Sequence, residues 1–487
     1  MTGLFVKHGA SSAYIRKRIR VVLALSLIVG CIAGAVALIR VNSRPLRLAQ
    51  PAAPSASTPV YSTVKSPAYV FPLKRGANPH LIYDQADTPV LWVGDNPWSL
   101  ISQLTDAEVD TYLNTRQQQG FNVLIMGLIE HKFATNAPKN IHGDPPFTGA
   151  PFTTPNEAYF AHADHVIVAA AQRGMAVLLA PLYLGSGCGD EGWCAEVQAA
   201  STADMTAWGT YVGTRYKSFA NVVWVVGGDT DPTPVASKVS AFVNGLTAAD
   251  PTHLVVPYNG RGTMGVGPWG GAAWVTLNDT YTDNYTYPQA KTAYAYAPTM
   301  PFFLIESWYE NEHGMNPQGL RAEAYWTTLS GGFGFLMGNC PMWGFGSPAS
   351  AGFCNSGGTW QSWLNSPGAA GMTYMGALFA GRAWQNLVPD WGHTVLTAGY
   401  GTWGGTDYVT AARTSDGTLV LAYLPTVRTV TVDMTQLAGP VTARWYDPSN
   451  GTYTTISGSP FANIGTQQFT PPGNNAGGAG DWVLVLN

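Results

Sequence analysis

The sequence predicts an α/β fold in which a (β/α)8 TIM barrel is followed by a small antiparallel β-sandwich. Between about residues 69 and 390, apolar runs typical of buried strands alternate with helical patterns, and eight such strands can be counted. In one of them, 222–227, every residue is apolar or glycine, as expected for a strand buried on both faces. From about residue 391 the helical patterns stop and short strand-like runs follow one another. We therefore predict a barrel domain over 69–390 and a sandwich domain over 391–487.

The first 68 residues predict passage into or across a membrane. The basic run 16–20 precedes 19 uncharged residues, 21–39, which suffice for one membrane span. We favour an uncleaved signal anchor over 1–40; cleavage near 35–37 and a lipobox ending in Cys31 are the alternatives. Residues 41–68 are rich in Pro, Ala and Ser and predict a linker. All three interpretations place the rest of the chain outside the cytoplasm.

The charge distribution argues against a nucleic-acid partner. Eleven of the 25 Lys and Arg residues precede Asp84, the first acidic residue, so the remainder carries 14 basic against 29 acidic residues, a formal charge of −15. Such a surface repels phosphate backbones. Charged residues make up only 11% of the chain and aromatic residues 12%, a composition that suits an exported protein handling sugars and also suits many cell-surface proteins.

The elements of both domains can be placed from the spacing of apolar residues. Thr105 and Glu108 form a capping sequence that predicts a helix start. Barrel strands are predicted at 90–94, 122–129, 176–183, 222–227, 254–258, 274–277, 302–305 and 334–337. Helices are predicted at 105–119, 155–173, 202–219, 237–249, 287–297, 320–329 and 368–387. Sandwich strands are predicted at 393–399, 408–414, 419–425, 429–434, 441–448, 452–457 and 482–487.

Four cysteines after the linker form two close pairs. Cys188 and Cys194 make one pair, and Cys340 and Cys354 the other. An even number at short spacing predicts two loop-closing disulfides in an oxidising compartment. A metal cluster is the alternative, but neither pair has the CxxC spacing of zinc sites.

Two carboxylates stand where predicted barrel strands end. Asp229 follows the strand 222–227 after two glycines, and Glu306 ends the run 302–306. In parallel barrels the C-terminal strand ends carry the active site. Cleavage of a glycosidic bond needs a proton donor and a second carboxylate facing an oxocarbenium-like transition state. We predict that Asp229 is the acid/base and Glu306 the nucleophile or base; a turn aspartate and a glutamate paired with an arginine are the structural alternatives.

Five further side chains are candidates for substrate binding at the same rim. Trp98, Tyr309 and Trp343 can stack on sugar rings, and Asp95 and Glu310 can accept hydrogen bonds from sugar hydroxyls. All five follow predicted strands. The alternative is that they serve the aromatic core and the turns.

Several motifs carry a family resemblance. They are LWVGDNPWSL and its continuation (91–124), 155–181, RYKSFANVVWVVGGD (215–229), FFLIESWYE (302–310), RWYDPSNGTYTTI (444–456) and DWVLVL (481–486). Together they resemble the apiosidase-like glycoside hydrolases, glycoside hydrolase family 140 and its relatives, over roughly 70–487. That family joins a (β/α)8 catalytic domain to a module labelled a "putative collagen-binding domain". The resemblance implies Asp229 as the general acid and Glu306 as its carboxylate partner.

The chain departs from the family pattern at two places near the expected substrate. Asn96 stands where relatives commonly carry Thr, and 279–283 lacks the Ser-Gly-His expected in that region. We therefore predict an exported glycoside hydrolase, membrane-anchored or secreted, that cleaves plant or microbial polysaccharide. Apiose- or other pentose-containing side chains are candidate substrates.

A catalytically idle cell-surface protein that binds carbohydrate or matrix is the alternative from a different class. Loss of Asp229 or Glu306 from the sequence would favour this alternative, and both residues are present. We expect no cofactor and no metal, since the sequence has no HExxH, P-loop or GxSxG motif. His162 and His165, one helical turn apart, are interpreted as a surface pair.

Overall fold

The computed structural model describes residues 69–487 except 284, 355 and 356. The predicted membrane segment (1–40) and linker (41–68) lie outside the described residues. Within the described part of the chain, no helix is long and apolar enough to cross a membrane. A short antiparallel pair, β1 (Lys74–Arg75) and β2 (Ile82–Tyr83), leads into the first of two packed domains.

Eight parallel strands form a nearly closed barrel, which confirms the predicted fold class of this part. They are β3 (Trp92–Asp95), β4 (Val123–Gly127), β5 (Ala176–Ala180), β6 (Val222–Gly227), β7 (Val255–Tyr258), β8 (Asn278–Tyr281), β9 (Phe302–Glu306) and β10 (Gly334–Met337). Their order is β7-β6-β5-β4-β3-β10-β9-β8. At the seam between β7 and β8, the Thr276 N–H donates to the Val255 carbonyl (3.0 Å).

The helices surround this barrel and connect its strands. They are α1 (Leu100–Gln103), α2 (Asp106–Gln118), α3 (Glu157–Gln172), α4 (Cys194–Ala199), α5 (Thr202–Tyr216), α6 (Ala236–Ala249), α7 (Tyr287–Tyr294), α8 (Pro317–Leu329), α9 (Cys340–Trp343), α10 (Pro348–Ala351), α11 (Trp360–Trp363) and α12 (Pro367–Phe379). The predicted capping sequence is confirmed, because Thr105 and Glu108 form a reciprocal capping box at the start of α2.

Two predicted elements are wrong in position. The strand predicted at 274–277 is β8, which begins at Asn278, because that strand carries polar side chains that apolar patterning misses. Asn278 is buried and its Oδ1 accepts a hydrogen bond from the Val266 N–H (3.2 Å). The helix predicted at 368–387 ends at Phe379; Gly381 has φ +74°, and the chain turns into a strand.

The second domain is an antiparallel sandwich. Its strands are β11 (Leu387–Pro389), β12 (Leu396–Ala398), β13 (Thr410–Thr414), β14 (Val420–Leu424), β15 (Val430–Asp433), β16 (Ala443–Asp447), β17 (Thr452–Thr455), β18 (Thr466–Phe469) and β19 (Trp482–Leu486). Six form the sheet β11-β13-β14-β19-β16-β17 and three the sheet β12-β15-β18. Apolar residues of both sheets share one core, and the opposite face of the larger sheet packs on α8 and α12. The boundary between 390 and 391 stays a prediction.

Candidate active site

A cavity of about 280 Å³ opens at the C-terminal ends of the barrel strands. Each of the eight strands, or the loop that follows it, contributes at least one lining side chain or backbone segment. The lining residues are Trp98, Gly127, Ile129, Glu130, Phe133, Tyr183, Ser186, Glu191, Asp229, Arg261, Tyr281, Glu306, Tyr309, Glu312, His313, Trp343 and Phe353. The cavity therefore occupies the position where parallel barrels carry their chemistry.

Asp229 reaches this cavity through a turn that requires glycine. Gly227 and Gly228 have φ of +95° and +145°, and a Cβ on Gly228 would lie 2.3 Å from a ring carbon of Tyr183. Asp229 itself has φ +54°, in the left-handed region, which costs an aspartate about 1 kcal/mol. Such strain concentrates where function fixes the position of a side chain.

Glu306, the last residue of β9, accepts a hydrogen bond on each carboxylate oxygen. The Tyr309 hydroxyl donates to Oε1 (2.5 Å) and the Tyr258 hydroxyl donates to Oε2. The Tyr309 oxygen accepts in turn from Trp98 Nε1 (2.9 Å) and from Asn96 Nδ2 (3.3 Å). Because both of these nitrogens can only donate, the Tyr309 proton is directed at Glu306. This arrangement fixes the carboxylate and favours its ionised form.

Asp229 is held differently. The Tyr281 hydroxyl donates to Asp229 Oδ1 (3.0 Å), and Arg261 Nη2 donates to the Tyr281 oxygen (2.9 Å). The ion pair that Arg261 forms is with Asp283, at 3.1 Å from Nε to Oδ1. Its guanidinium also lies over the ring of Trp308, 4.4 Å from the ring centroid. Arg261 therefore acts on Asp229 both directly, through its positive charge, and through the Tyr281 hydroxyl.

Burial raises the pKa of both carboxyl groups above their ordinary values. For Glu306 burial is the largest cause, the negative charge of Asp229 adds to it, and the hydrogen bonds from Tyr258 and Tyr309 oppose it. For Asp229 burial is again the largest cause, and the Tyr281 hydrogen bond and Arg261 oppose it. The pair therefore keeps a proton at a pH where isolated carboxyl groups are ionised, which is the state that acid/base chemistry needs.

The structure brings five of the seven predicted catalytic and binding residues together. Asp229, Glu306, Trp98, Tyr309 and Trp343 all line the cavity. The indole of Trp98 also stacks against the Tyr258 ring, with centroids 5.9 Å apart. The aromatic residues thus form walls around the two carboxylates.

Asp95 and Glu310 are placed outside the cavity, contrary to the expectation that they contact substrate. Asp95 is buried, and its Oδ2 accepts from Arg116 Nε and from the Tyr112 hydroxyl, both at 2.6 Å. Glu310 is buried and accepts from Asn339 Nδ2 (2.7 Å). A residue that follows a barrel strand lies at the rim of the barrel. Its position in the sequence does not determine whether its side chain points into the cavity or away from it. Both carboxylates fix the loops around the site.

Sequence reasoning missed several polar residues of the site, and four of them act on the two carboxylates: Tyr258, Tyr281, Glu191 and Arg261. Tyr258 ends β7, so the signal used for Glu306 would have found it, whereas Tyr281 ends β8, whose position the apolar pattern missed. Glu191 and Arg261 lie in loops, where no pattern marks them. Together they determine the protonation of the carboxylates more than any predicted binding residue except Tyr309.

Both predicted disulfides are present, and both lie in loops that line the cavity. Cys188–Cys194 closes the loop that carries Glu191, and Cys340–Cys354 closes the loop that carries Trp343 and Phe353. The Trp343 Nε1 donates to the sulfur of Cys354 (3.2 Å). The disulfides therefore support two walls of the cavity.

A possible metal site lies elsewhere. Among the residues that the structure describes, one group of side chains has the spacing to hold a metal ion: Asp106, His142 and His162. These residues are absent from the cavity lining. Glycosidic cleavage by two carboxylates needs neither a metal nor an organic cofactor.

Comparison with known protein families decides where the chain belongs. The family model described as "Apiosidase-like, catalytic domain" matches residues 77–386, more than half of the chain. The chain belongs to the apiosidase-like family. A second model, described as "Putative collagen-binding domain of a collagenase", matches residues 395–487. Both matches confirm the resemblance drawn from the sequence motifs, and the apiosidase-like chain is a glycoside hydrolase. No curated protein matches its sequence.

Solved structures share the fold of most of the apiosidase-like chain. A glycoside hydrolase family 5 protein from Bacteroides vulgatus ATCC 8482 is 22% identical, with a TM-score of 0.75 over 85% of this chain and 93% of the other. A structure titled "Glycoside hydrolase" is also 22% identical, with a TM-score of 0.74 over 86% of this chain and 98% of the other. At this level of identity the likeness concerns the fold.

Proposed function

We propose that this apiosidase-like protein hydrolyses glycosidic bonds in plant or microbial polysaccharide by a two-carboxylate mechanism. The observation that carries the proposal is the shared cavity of Asp229 and Glu306, walled by aromatic side chains. Asp229 donates a proton to the leaving oxygen as the bond to the anomeric carbon breaks. Glu306 either forms a bond to that carbon or removes a proton from the attacking water. In both cases water supplies the new hydroxyl and Asp229 regains its proton by the end of the cycle.

The hydrogen bonds support this division of roles, whereas burial acts against it by raising the pKa of Glu306 to about 8 and that of Asp229 to about 6. Glu306 receives a donor on each oxygen, which stabilises negative charge facing an oxocarbenium ion. Asp229 receives the Tyr281 hydroxyl on Oδ1, so its Oδ2 is the atom offered to a leaving group. The left-handed backbone of Asp229 fixes that orientation.

The proposed substrate class rests on family and on cavity shape together. The cavity of about 280 Å³ adjoins a wider cleft of about 950 Å³ that shares Ser186, Asp229 and Arg261 with it, so an oligosaccharide could extend from the carboxylates into this cleft. Trp98 and Trp343 offer ring faces for stacking. Family membership favours apiose- or other pentose-containing side chains, while Asn96 is positioned by Tyr309 next to the site and replaces the Thr common in relatives.

Export is part of the proposal. The two disulfides need an oxidising compartment to persist. The basic run 16–20 followed by an apolar stretch provides an export signal or anchor. The substrate would then be met outside the cytoplasm.

The test is hydrolysis by the purified full-length protein of pentose-rich polysaccharides and aryl glycosides. Asp229→Asn and Glu306→Gln should each lower kcat by about 10⁴-fold. Asp231→Asn, an exposed carboxylate two residues from Asp229, is the matched control and should keep full activity. Hydrolysis that survives both active-site changes would show that the site is misplaced.

Two further measurements assign roles and stereochemistry. Asp229→Asn should keep more activity on aryl glycosides with good leaving groups than on natural substrates, because these groups need no proton. NMR of the first product anomer separates retention from inversion. If no variant and no wild-type preparation cleaves any glycan, while binding persists, the protein is instead a carbohydrate-binding surface protein.

A further inference from the structure

Away from the cavity, four side chains with metal-binding groups meet where the start of α2 faces α3. His162 Nδ1 lies 3.1 Å from Asp106 Oδ1, and His165 Nε2 lies 3.8 Å from the same oxygen. The ring of His142 stands nearly perpendicular to that of His162, with centroids 4.7 Å apart. One ligand atom from each of Asp106, His142 and His162 lies within 4.8 Å of the others.

This cluster is assembled from three separate segments. Asp106 is the first residue of α2, and His162 and His165 are one turn apart on α3. His142 comes from the loop between β4 and α3, where its N–H donates to Asn140 Oδ1 (3.0 Å). His162 is 7% exposed; its Nδ1 faces Asp106, and its ring also lies within hydrogen-bonding reach of the Ile101 backbone. A buried imidazole is thus presented to a carboxylate and a second imidazole.

We propose that Asp106, His142 and His162, with His165 as fourth donor, bind a divalent transition metal of the zinc class. Imidazole nitrogens and one carboxylate oxygen are donors that zinc prefers, whereas calcium takes six to eight oxygens. Ligand atoms around tetrahedral zinc lie roughly 3.3 Å apart. Closing the cluster to that spacing requires movement of the exposed His142 and His165 side chains, while His162 stays in place.

The proposed metal would fasten the loop between β4 and α3. That loop carries Glu130 and Phe133 into the cavity lining and His142 into the cluster. Binding would tie the loop to both α2 and α3. This inference reverses the expectation that the histidine pair of α3 has no metal, and it is independent of the proposed glycosidase activity.

The first test measures zinc binding to the full-length protein after treatment with a chelator. Titration calorimetry and elemental analysis after dialysis should give one zinc per chain. His142→Ala, at an exposed position, should weaken binding at least tenfold. His393→Ala, which removes an imidazole from the sandwich domain, is the matched control and should bind as the wild type. A wild type without saturable zinc binding, or a His142→Ala variant that binds equally well, overturns the proposal.

A second measurement identifies the donors. Cobalt(II) added to the chelated protein should give the visible absorption of a tetrahedral nitrogen-ligated site, lost in His142→Ala and in Asp106→Asn. Asp106 and His142 are chosen because they are exposed, whereas His162→Ala would leave a cavity in a buried region and could impair folding. Zinc should also slow proteolysis of the loop between β4 and α3. Equal protection by calcium would contradict an imidazole-rich site.

Discussion

Two buried networks of this protein treat carboxylate charge differently. At the contact between barrel and sandwich, Asp481 is fully buried and accepts from Arg321 Nε and Nη2, each at 2.8 Å. Tyr423 and Asn475 donate to the same carboxylate. In the cavity, by comparison, the donors to Asp229 and Glu306 are tyrosine hydroxyls.

The comparison separates structure from chemistry. Arg321 donates two hydrogen bonds to Asp481 and balances its charge. The pair therefore stabilises the contact between barrel and sandwich. Neutral hydroxyls orient Asp229 and Glu306 and leave their desolvation uncompensated, which is why burial raises the pKa of both. In the cavity, the burial of Asp229 and Glu306 without a cation of their own keeps a proton available for chemistry, at a cost in stability. Four changes test that distinction.

The largest effect is expected for Glu306→Gln, which should lower kcat by about 10⁴-fold and raise stability at neutral pH. Because the folded pKa of Glu306 lies above its unfolded value, the folded state binds the proton more tightly. Stability is therefore lost as pH rises from the unfolded value, about 4.3, through the folded one. Glutamine carries no charge and avoids that loss.

Thermal unfolding at pH 4 and pH 7 checks this sign. The variant should unfold at a higher temperature than the wild type at pH 7, and the difference should vanish near pH 4. The glutamine can place its oxygen toward Tyr309 and its NH₂ toward Tyr258, whose hydroxyl can turn to accept. A variant less stable than the wild type at pH 7 would mean that the carboxylate has a structural role.

Arg321→Met should give the opposite result. It leaves Asp481 buried without its cation and should destabilise the protein by about 3–5 kcal/mol, with kcat of the folded enzyme nearly unchanged. Denaturant unfolding measures the loss. Asp481→Asn in the same chain removes the stranded charge and should recover part of the stability. A loss below about 1 kcal/mol would show that the interface does not depend on this pair.

The same distinction explains what could be predicted from the sequence. Strands and carboxylates at their ends are local patterns, so the barrel, Asp229 and Glu306 could be predicted. Which side chain turns inward is settled by packing between distant segments: Asp95 turns toward Arg116 in α2, while Trp98, three residues later, faces the cavity. Strand β18, with sequence TQQF, was missed because an exposed edge strand needs little apolar pattern. Tyr258 could have been found and was not.

Tyr309→Phe should have a smaller effect, lowering kcat roughly 10–100-fold. The change removes a hydrogen bond that supports the ionised form of Glu306, so the pKa of Glu306 should rise further. Since activity is lost as pH falls through that pKa, the acidic limb of the kcat profile should move to higher pH. Trp98→Phe removes the donor to the Tyr309 oxygen and part of the stacking surface but leaves the Tyr309 hydroxyl on Glu306, so the acidic limb of kcat should stay closer to that of the wild type. If the acidic limb of Tyr309→Phe is unchanged, that limb does not report the ionisation of Glu306.

Arg261→Met should mainly move the other limb. Arg261 lowers the pKa of Asp229 although it is paired with Asp283, so its loss should raise that pKa. The acid must be protonated to act, and activity falls as pH rises through its pKa; the alkaline limb should therefore move to higher pH. Arg261→Lys keeps the positive charge and should move the limb less. Because Arg261 also lines the cavity, the profile must be taken from kcat, since changed substrate contacts enter KM. If the alkaline limb does not move, Arg261 does not affect the pKa of Asp229. Its role would then be to pair with Asp283, as Arg321 pairs with Asp481 at the contact between barrel and sandwich.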